Sequence, residues 1–485
     1  MSIDICVIYA SENEAIAKEL VIILRESWQV WSAGDIVQGD WEEQVRSCIK
    51  ASKAIVPLIS FQSVKKTIFR DELQLAADEK KPIFPFFIDD VTPPLGFGYL
   101  NRTEAFGWNG DVDSQGYKQL EHKLIKELGQ HKSCQRKLTL DIGRKVLRLP
   151  CFMFSLSSHE TPVTPKDGLR LFQLLKPSSA GLISAYDVWK YKEDNILYDE
   201  FLDTLRGLRE SSCTLVLDSG NYEGYRKNDL YSTSNKNGWK KEIFRELSVE
   251  VSPDLAFHFD EISPDGTIEE IADRVVTTYK EDLEAIEPEF PLCPIIHLPE
   301  KLPEKFSDNL SEFASELVAR IACDLNPVMV AIPERELGEG ILQRVRVVCD
   351  IRKALNSLGK YYPLHLLGAG NPISIKAFAS AGADSFDGLE WCRTVTDYSN
   401  GYLFHFSQFD LFRERCLSQL QSQEIRRIIE NPDAPYVTKV LSYNLDFFSD
   451  WIKTIQDMIA ARQEEHLLKT IPNVGNVFIK EVMSS

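Results

Sequence analysis

The sequence predicts an α/β protein in which a doubly wound parallel sheet is followed by a (β/α)8 barrel. Near its start, two apolar runs at residues 54–59 and 83–88 bracket one helix-length segment. This strand–helix–strand rhythm is typical of a buried parallel sheet with a crossover helix. Further along, about eight short apolar runs alternate with helical segments over residues 141–462, which is the count expected for a (β/α)8 barrel.

The first domain is predicted to span residues 1–130. Apart from the two bracketing strands and their helix, its elements are a strand at 3–10, a helix at 12–26, a strand at 28–31, a helix at 41–50 and a last helix at 117–128. Such alternation builds a doubly wound parallel sheet. Asp40 directly precedes the second of these helices and is suited to cap it.

Glu72 is the ionisable residue of this domain with the most informative position. It is predicted to lie in the first turn of the helix at the centre of the unit, just beyond the end of the preceding strand. Ligands of open α/β sheets bind at the carboxyl ends of the strands. Glu72 is therefore a candidate to face a substrate, whereas the alternative is a solvent-facing helix glutamate.

The second domain begins after a polar, non-periodic segment, GQHKSCQRKLTL at residues 129–140. We expect a linker at 131–140, a barrel at 141–462 and a carboxyl-terminal tail at 463–485. The predicted barrel strands are 147–156, 180–184, 214–217, 255–259, 294–297, 327–332, 364–367 and, more weakly, 383–386.

Acidic residues follow four of these barrel runs directly or nearly so. They are Asp218, Asp260, Glu339 and Asp387. In a (β/α)8 barrel, such positions meet at one face, which is the usual active-site face. The pattern favours a shared acidic pocket over four independent surface carboxylates.

Composition limits the partners and the compartment. The net charge is -18, which fits poorly with a protein that grips phosphate backbones. The ten cysteines contain no CxxC pair, so we expect reduced, buried thiols. The sequence contains no uninterrupted apolar run of about 18 residues, so no membrane span is predicted. The amino-terminal segment MSIDICVIYASE lacks the basic region of a signal peptide. These features predict a soluble, cytoplasmic protein without a membrane partner.

Three blocks of the first domain resemble the signature of the TIR family in order and spacing. They are VIYASENEAIAKEL, AGDIVQGDWEEQVRSCIKASKAIVPLIS and FRDEL followed by KKPIFPFFID. Many TIR domains cleave NAD+ at the nicotinamide–ribose bond, using the glutamate of a W-x-x-x-E pattern. The resemblance places that role on Glu72, although Ile68 stands where the pattern has Trp. The candidates to line the NAD+ pocket are Tyr9, Ser11, Gly39, Asp40 and Trp41.

The chemistry of this bond is compatible with a single acidic residue. Cleavage of an N-glycosidic bond to a cationic leaving group passes through an oxocarbenium-like state. One carboxylate close to the ribose can stabilise that charge and hold the ribose hydroxyls. For Trp41, a packing role at the start of its helix is an equally good interpretation.

Five blocks of the second domain resemble tRNA-guanine transglycosylases. They are LVLDSGNYE, HFDEISP, VAIPERELGEGILQRVRVVCDIRKAL with PLHLLGAGNP, AGADSFDGLEWCR and VLSYNLDFFSDWIKTIQDMI. The resemblance implies that Asp387 is the covalent nucleophile, Asp218 the second catalytic aspartate and Asp260 the base-recognising aspartate. It also places the base-binding strip on Gly338, Glu339 and Gly340, and puts His297 where the family has a base-contacting Gln.

This domain departs from the transglycosylase pattern in two further ways. The family holds zinc with a C-x-C-x-x-C cluster and the His of a late HNL motif. Here no such cluster follows Arg393, and Tyr443 occupies the His position. We therefore expect no structural zinc and no cofactor, with NAD+ as a substrate only. The family segment DSGG(F/Y)Q has become DSGNYE, which places side chains where the base pocket needs close backbone approach.

Three hypotheses follow. In the first, the TIR domain is an NAD+ glycohydrolase that self-associates when the barrel senses a trigger, which suggests antiphage defence. The trigger would be a purine, a nucleoside, a nucleic acid or a phage-derived molecule. In the second, the barrel is a base-exchange enzyme acting on nucleic acid, and the TIR domain is an interaction module. In the third, both halves are non-catalytic scaffolds.

Overall fold

The structure is a computed structural model. It describes residues 3–484 except 26, 36–40, 99, 101, 113, 129–135, 159–160, 176–179, 222–237 and 307–308. The chain divides into two compact units, Met1–Arg136 with Asn356–Tyr361, and Lys137–Leu355 with Tyr362–Ser485. The linker at 131–140 and the tail at 463–485 stay predictions.

The first unit contains a five-stranded sheet in the order β2-β1-β3-β4-β5, in which all pairs are parallel. Its strands are β1 (Ile3–Ile8), β2 (Val30–Ser32), β3 (Ser52–Ile59), β4 (Phe86–Phe87) and β5 (Thr103–Glu104). Its helices are α1 (Glu14–Leu24), α2 (Trp41–Ala51), α3 (Thr67–Asp78) and α4 (Gln115–Leu128). The predicted parallel α/β fold is confirmed.

Helices cover both faces of this sheet. Side chains alternate along β1, so that Ile5 and Val7 join the core beneath α1 and α4. Cys6 and Ile8 join a second core beneath α2 and α3. A strand buried on both faces must be apolar at every position, which explains the continuous apolar runs in the sequence.

The sheet differs from the prediction at its short strands. Of the predicted run 83–88, only Phe86–Phe87 is a strand, and Ile83 forms an isolated bridge with Ile55. Prolines at positions 82 and 85 lack the N–H that a ladder needs. The strand Thr103–Glu104 was missed, because two residues carry no readable periodicity.

The second unit contains eight parallel strands that pair in chain order. They are β8 (Cys151–Leu156), β9 (Ala180–Ser184), β10 (Thr214–Asp218), β11 (Leu255–Phe257), β12 (Leu292–Cys293), β13 (Val330–Pro333), β14 (Leu364–Leu367) and β15 (Ser385–Gly388). Strand β15 pairs with β8, and a parallel bridge between Ile295 and Ala331 joins the β12 segment to β13. The predicted eight-stranded parallel barrel is confirmed.

An antiparallel hairpin precedes the barrel. Its strands are β6 (Thr139–Asp141) and β7 (Val146–Arg148). The predicted run 147–156 is therefore two elements, because the chain turns at Pro150 between β7 and β8. The apolar side chains of the hairpin, Leu140 and Leu147 among them, belong to the same core cluster as the barrel interior. The hairpin thus contributes to the barrel core.

Helices surround the barrel and continue beyond it. They are α5 (Pro165–Leu175), α6 (Ala185–Lys190), α7 (Asn195–Glu210), α8 (Lys241–Val251), α9 (Ile268–Ile286), α10 (Leu310–Leu325), α11 (Ile341–Asn356), α12 (Pro372–Ser380), α13 (Glu390–Arg393), α14 (Phe409–Gln419), α15 (Gln423–Glu430), α16 (Tyr436–Ala460), α17 (Glu464–Lys469) and α18 (Asn476–Ser484). A small antiparallel pair, β16 (Thr394–Thr396) and β17 (Leu403–His405), lies between α13 and α14. Helix α16 packs on β8, where Phe448 stacks on Phe152 at a centroid distance of 4.7 Å.

Candidate functional site

The first candidate site is the carboxyl edge of the amino-terminal sheet. Helix α3 follows β3 and buries Phe69, Leu73 and Ala76 at helical spacing. The sequence predicts Glu72 in the first turn of this helix. The helix begins at Thr67, so Glu72 lies in its second turn and that prediction is wrong. The side chain of Glu72 is half-buried, on the flank of the apolar stripe.

The Glu72 carboxyl is chemically distinctive. Within the described residues it makes no hydrogen bond and no ion pair. Burial, with a smaller contribution from the charge of Asp71, raises the pKa of Glu72 to about 7. Ile68 lies one helical turn earlier on the same side and is 57% exposed. The Glu72 carboxyl therefore changes charge near neutral pH, and it lies beside the exposed apolar side chain of Ile68.

A polar network lines the same edge of the sheet. The hydroxyl of Ser60, directly after β3, donates to the side-chain oxygen of Asn13 at 2.6 Å. The backbone N–H of Ser60 donates to the hydroxyl of Ser63 at 2.8 Å. Lys66, at the start of α3, pairs with Glu12 at 2.6 Å. These bonds connect the loops that follow β1 and β3.

The structure describes some of the predicted pocket residues of this domain and not others. Tyr9 and Ser11 do follow β1, and a Cβ at Gly34 would lie 3.3 Å from the Tyr9 hydroxyl, next to the loop after β2. Gly39 and Asp40 lie outside the described residues. Trp41 begins α2, but its side chain also lies outside the described part. Helices α2 and α3 pack against each other on one face. The roles of all five residues stay predictions.

The second candidate site is a cavity of about 310 Å3 at the carboxyl ends of the barrel strands. Four of the predicted residues line it together: Asp218, Asp260, His297 and Asp387. Gly338, Glu339 and Gly340 are not among the lining residues, and Glu339 is exposed. The end of β13 instead contributes Pro333, and the segment after it contributes Glu334 and Arg335.

Neutral donors hold Asp387. The hydroxyl of Ser155 donates to one carboxylate oxygen at 2.6 Å, and the N–H of Gly368 donates to the other at 2.7 Å. His365 Nε2 lies 3.4 Å from the second oxygen. Asp218 accepts a bond from the Gly220 N–H at 3.0 Å. Burial and the nearby charges of Asp260 and Asp387 raise the pKa of Asp218 to about 7.

Asp260 and His297 form an ion triad with Glu336. His297 Nε2 lies 2.7 Å from Asp260, and Nδ1 lies 2.8 Å from Glu336. Burial alone lowers the pKa of His297, but the two carboxylates outweigh it and raise the pKa to about 10. Burial alone raises the pKa of Asp260, but the bonds from His297 and Ser219 hold it below its usual value. Both ring nitrogens therefore act as donors of a charged imidazolium.

Several residues of this cavity and its surroundings were not predicted from the sequence. Glu336 belongs to a short 3-10 helix after β13, in the same PERELGEG segment as the predicted strip. A signal existed, because an acidic residue follows the strand end within three positions. Ser155 and Glu390 also line the cavity, but no motif marks a serine inside a strand or a glutamate one turn beyond Asp387.

The segment that corresponds to the zinc site of transglycosylases, where we expect no zinc, contains other contacts. Among the described residues, no group of three or more His, Cys, Asp or Glu side chains has a geometry that could hold a metal ion. The hydroxyl of Tyr443, which stands at the family's His position, donates to the carbonyl oxygen of Thr396 at 2.7 Å. Tyr443 is fully buried.

Fold and sites define a two-unit α/β chain in which acidic groups gather at the carboxyl ends of two parallel sheets. Residues 5–121 match the TIR domain family, and the amino-terminal unit is a TIR domain. This supports a TIR-type signalling or NAD-cleaving role, and TIR domains commonly self-associate and bind NAD+. No curated protein matches the chain significantly. In the part of the chain that the structure describes, no helix is long and apolar enough to cross a membrane.

Proposed function

We propose that this protein is an NAD+ glycohydrolase whose TIR domain carries the reaction and whose barrel controls it. The observation that carries the proposal is the Glu72 carboxyl. It is half-buried, has no partner among the described residues and has a pKa of about 7, at the carboxyl edge of a TIR sheet. Perturbed carboxyls at such edges are typical of active sites.

The reaction breaks the bond between the nicotinamide nitrogen and the ribose carbon. The bonding electron pair leaves with the nitrogen, so nicotinamide departs neutral and the ribose becomes oxocarbenium-like. Ionised Glu72 stabilises this positive charge and accepts bonds from the ribose hydroxyls. Water then adds to the ribose carbon and releases a proton, which gives ADP-ribose. Tyr9, Ser11 and the segment at residues 39–41 complete the proposed NAD+ pocket.

The barrel is proposed to sense a trigger and to drive assembly of the TIR domains. Support comes from a cavity built by residues from all eight strand ends, in a domain that departs from transglycosylases at DSGNYE, His297 and Tyr443. The trigger is a nucleoside-type or phage-derived molecule. The biological role proposed is antiphage defence through depletion of cellular NAD+.

The test follows nicotinamide release. Purified protein is incubated with NAD+ over a series of protein concentrations, with and without phage lysate. We expect turnover that Glu72→Ala abolishes and that Asp71→Asn retains, because Asp71 is exposed and adjacent in the same helix. Undiminished turnover in Glu72→Ala would remove this residue from its proposed role.

A second function has an observation in its favour. Asp218, Asp260 and Asp387, the three aspartates that the transglycosylase resemblance singles out, line one cavity. In this reading, ionised Asp387 attacks the sugar carbon, and Asp218, with its pKa of about 7, transfers a proton to the departing base.

Base exchange is tested by incorporation of labelled guanine into RNA or DNA. We expect Asp387→Ala to abolish incorporation if the second function holds. Failure of the wild-type protein to bind either nucleic acid at low salt would exclude it, because phosphate contacts are strongest there.

A further inference from the structure

A second cavity lies at the amino-terminal end of the barrel, opposite the strand ends that form the candidate site. Its volume is about 460 Å3, within the range of about 300–1,000 Å3 that is usual for ligand pockets. Cys151 and Thr214, the first residues of β8 and β10, line it together with residues of the hairpin strand β7 and of helix α16. The cavity is therefore built by the barrel and by the elements that precede and follow it.

The hydroxyl of Thr214 has no hydrogen-bond partner among the described residues, although the residue is only 3% exposed. Side chains alternate along a strand, so Thr214 lies on the same side of β10 as Val216, which belongs to the core cluster of the barrel interior. Buried hydroxyls are rarely left unsatisfied in folded proteins. The Thr214 hydroxyl therefore points to a polar group from outside the chain in this cavity.

Two cations of the cavity are matched by carboxylates of the protein. Lys145 pairs with Asp254 at 2.9 Å, and Arg148 pairs with Asp457 at 2.7 Å. Because each of these cations already has an opposite charge beside it, neither of them needs a ligand for its neutralisation.

Two further charges on α16 are not matched in this way. Asp450 and Lys453 both line the cavity, and neither side chain makes an ion pair or a hydrogen bond among the described residues. Residues three apart lie on the same side of a helix, and opposite charges at this spacing usually pair with each other. Asp446, one turn before Asp450, is buried. Burial raises the pKa of Asp446, and the charge of Asp450 adds to this effect.

We propose that this cavity binds a small amino acid as a zwitterion, whose ammonium pairs with Asp450 and whose carboxylate pairs with Lys453. The ligand takes the place of the direct pair between these two side chains, and the Thr214 hydroxyl bonds one of its polar groups. A ligand with a single charge would leave either Asp450 or Lys453 unmatched. The proposal rests on neither activity proposed above, because the cavity lies at the other end of the barrel.

Ligand-observed NMR titration of the full chain, without NAD+, tests this inference. The probes are the zwitterions glycine, 4-aminobutyrate and 6-aminohexanoate, and the singly charged butylamine and butyrate. We expect at least one zwitterion to bind about tenfold more tightly than either singly charged probe, as for one bond to a charged group. Asp450→Asn should remove the preference over butyrate, and Lys453→Gln the preference over butylamine. Thr214→Val, which lacks the hydroxyl, should weaken binding of that zwitterion about fivefold. The controls Glu316→Gln and Lys280→Gln change exposed residues outside the cavity and should keep both preferences.

Equal binding of the zwitterions and the singly charged probes would overturn the proposal, and so would the absence of binding by every zwitterion. Both preferences kept in Asp450→Asn and in Lys453→Gln would overturn the assignment to this cavity. Thermal unfolding of each variant shows whether it is folded, and the wild-type comparison needs no variant. Glu72→Ala and Asp387→Ala should leave the affinities unchanged, because neither residue lines this cavity. The result is therefore independent of the fate of the two proposed activities.

Discussion

The Glu72 carboxyl changes its charge within the pH range in which the proposed enzyme is expected to work. Its pKa is raised to about 7 by burial and by Asp71. If the ionised carboxylate stabilises the oxocarbenium-like state, kcat/KM for NAD+ should rise with pH to a plateau, with its midpoint at about pH 7. The measurement is nicotinamide release between about pH 5.5 and 8.5. Asp71→Asn should move the midpoint to lower pH, because it removes the neighbouring negative charge. A flat wild-type profile would contradict the assignment.

The same shift predicts an effect on stability. Glu72 has a higher pKa in the folded state than its ordinary value of 4.5, so the folded protein binds this proton more tightly than the unfolded chain. The stabilisation from the proton is complete below pH 4.5 and is lost as the pH rises through about 7. Glu72→Gln, which stays neutral, should therefore raise the free energy of unfolding of the TIR domain by about 1–3 kcal/mol at pH 8. Urea unfolding near pH 4.5 should show little difference between the two proteins.

At the scale of elements, the strand pairing of the barrel is weakest between β12 and β13. Strand β12 has only two residues, and its segment meets β13 through the bridge between Ile295 and Ala331. The triad of Asp260, His297 and Glu336 connects the segments that follow β12 and β13. Glu336 also accepts a bond from the Leu298 N–H at 2.8 Å. We infer that this ion triad holds the barrel closed where few backbone bonds do.

His297→Gln tests the ion triad. Without the imidazolium, two carboxylates face a neutral amide, so the barrel should lose about 3 kcal/mol of stability at pH 7. The pKa of His297 is raised from 6.5 to about 10, so its contribution is fully present below pH 6.5 and is lost as the pH rises through about 10. The stability difference between wild type and variant should therefore shrink from pH 6.5 to 10. His466→Gln, an exposed histidine on α17, should change little at any pH.

The elements also show what a sequence can and cannot predict. Strands β9 and β14 were placed at their observed bounds, because a buried parallel strand is a continuous apolar run between turns. The short strands β5 and β12 were missed or shifted, because their pairing depends on neighbouring strands and not on local composition.

In the candidate sites, too, some residues could be predicted from the sequence and others could not. Asp218 directly follows a predicted strand, and topology alone brings it to the face where Asp387 lies. Ser155, which donates to Asp387, comes from a strand far away in the chain. A hydrogen bond between distant segments leaves no periodic signal in the sequence, so Ser155 was visible only in the structure. Glu336, which contacts His297, did have a signal, because it is an acidic residue shortly after a strand.

At the scale of the whole molecule, the net charge of -18 opposes the assembly that TIR activity is proposed to need. Like-charged chains repel one another over a Debye length of about 10 Å at 0.1 M salt, and added salt screens this repulsion. NAD+ cleavage per protomer should therefore rise with protein concentration, and at a fixed concentration it should rise from low to moderate salt. Nicotinamide release and light scattering, measured on the same samples, should increase together. Activity that is independent of concentration while scattering reports a monomer would contradict a requirement for assembly, and it would leave each TIR domain as a self-sufficient enzyme.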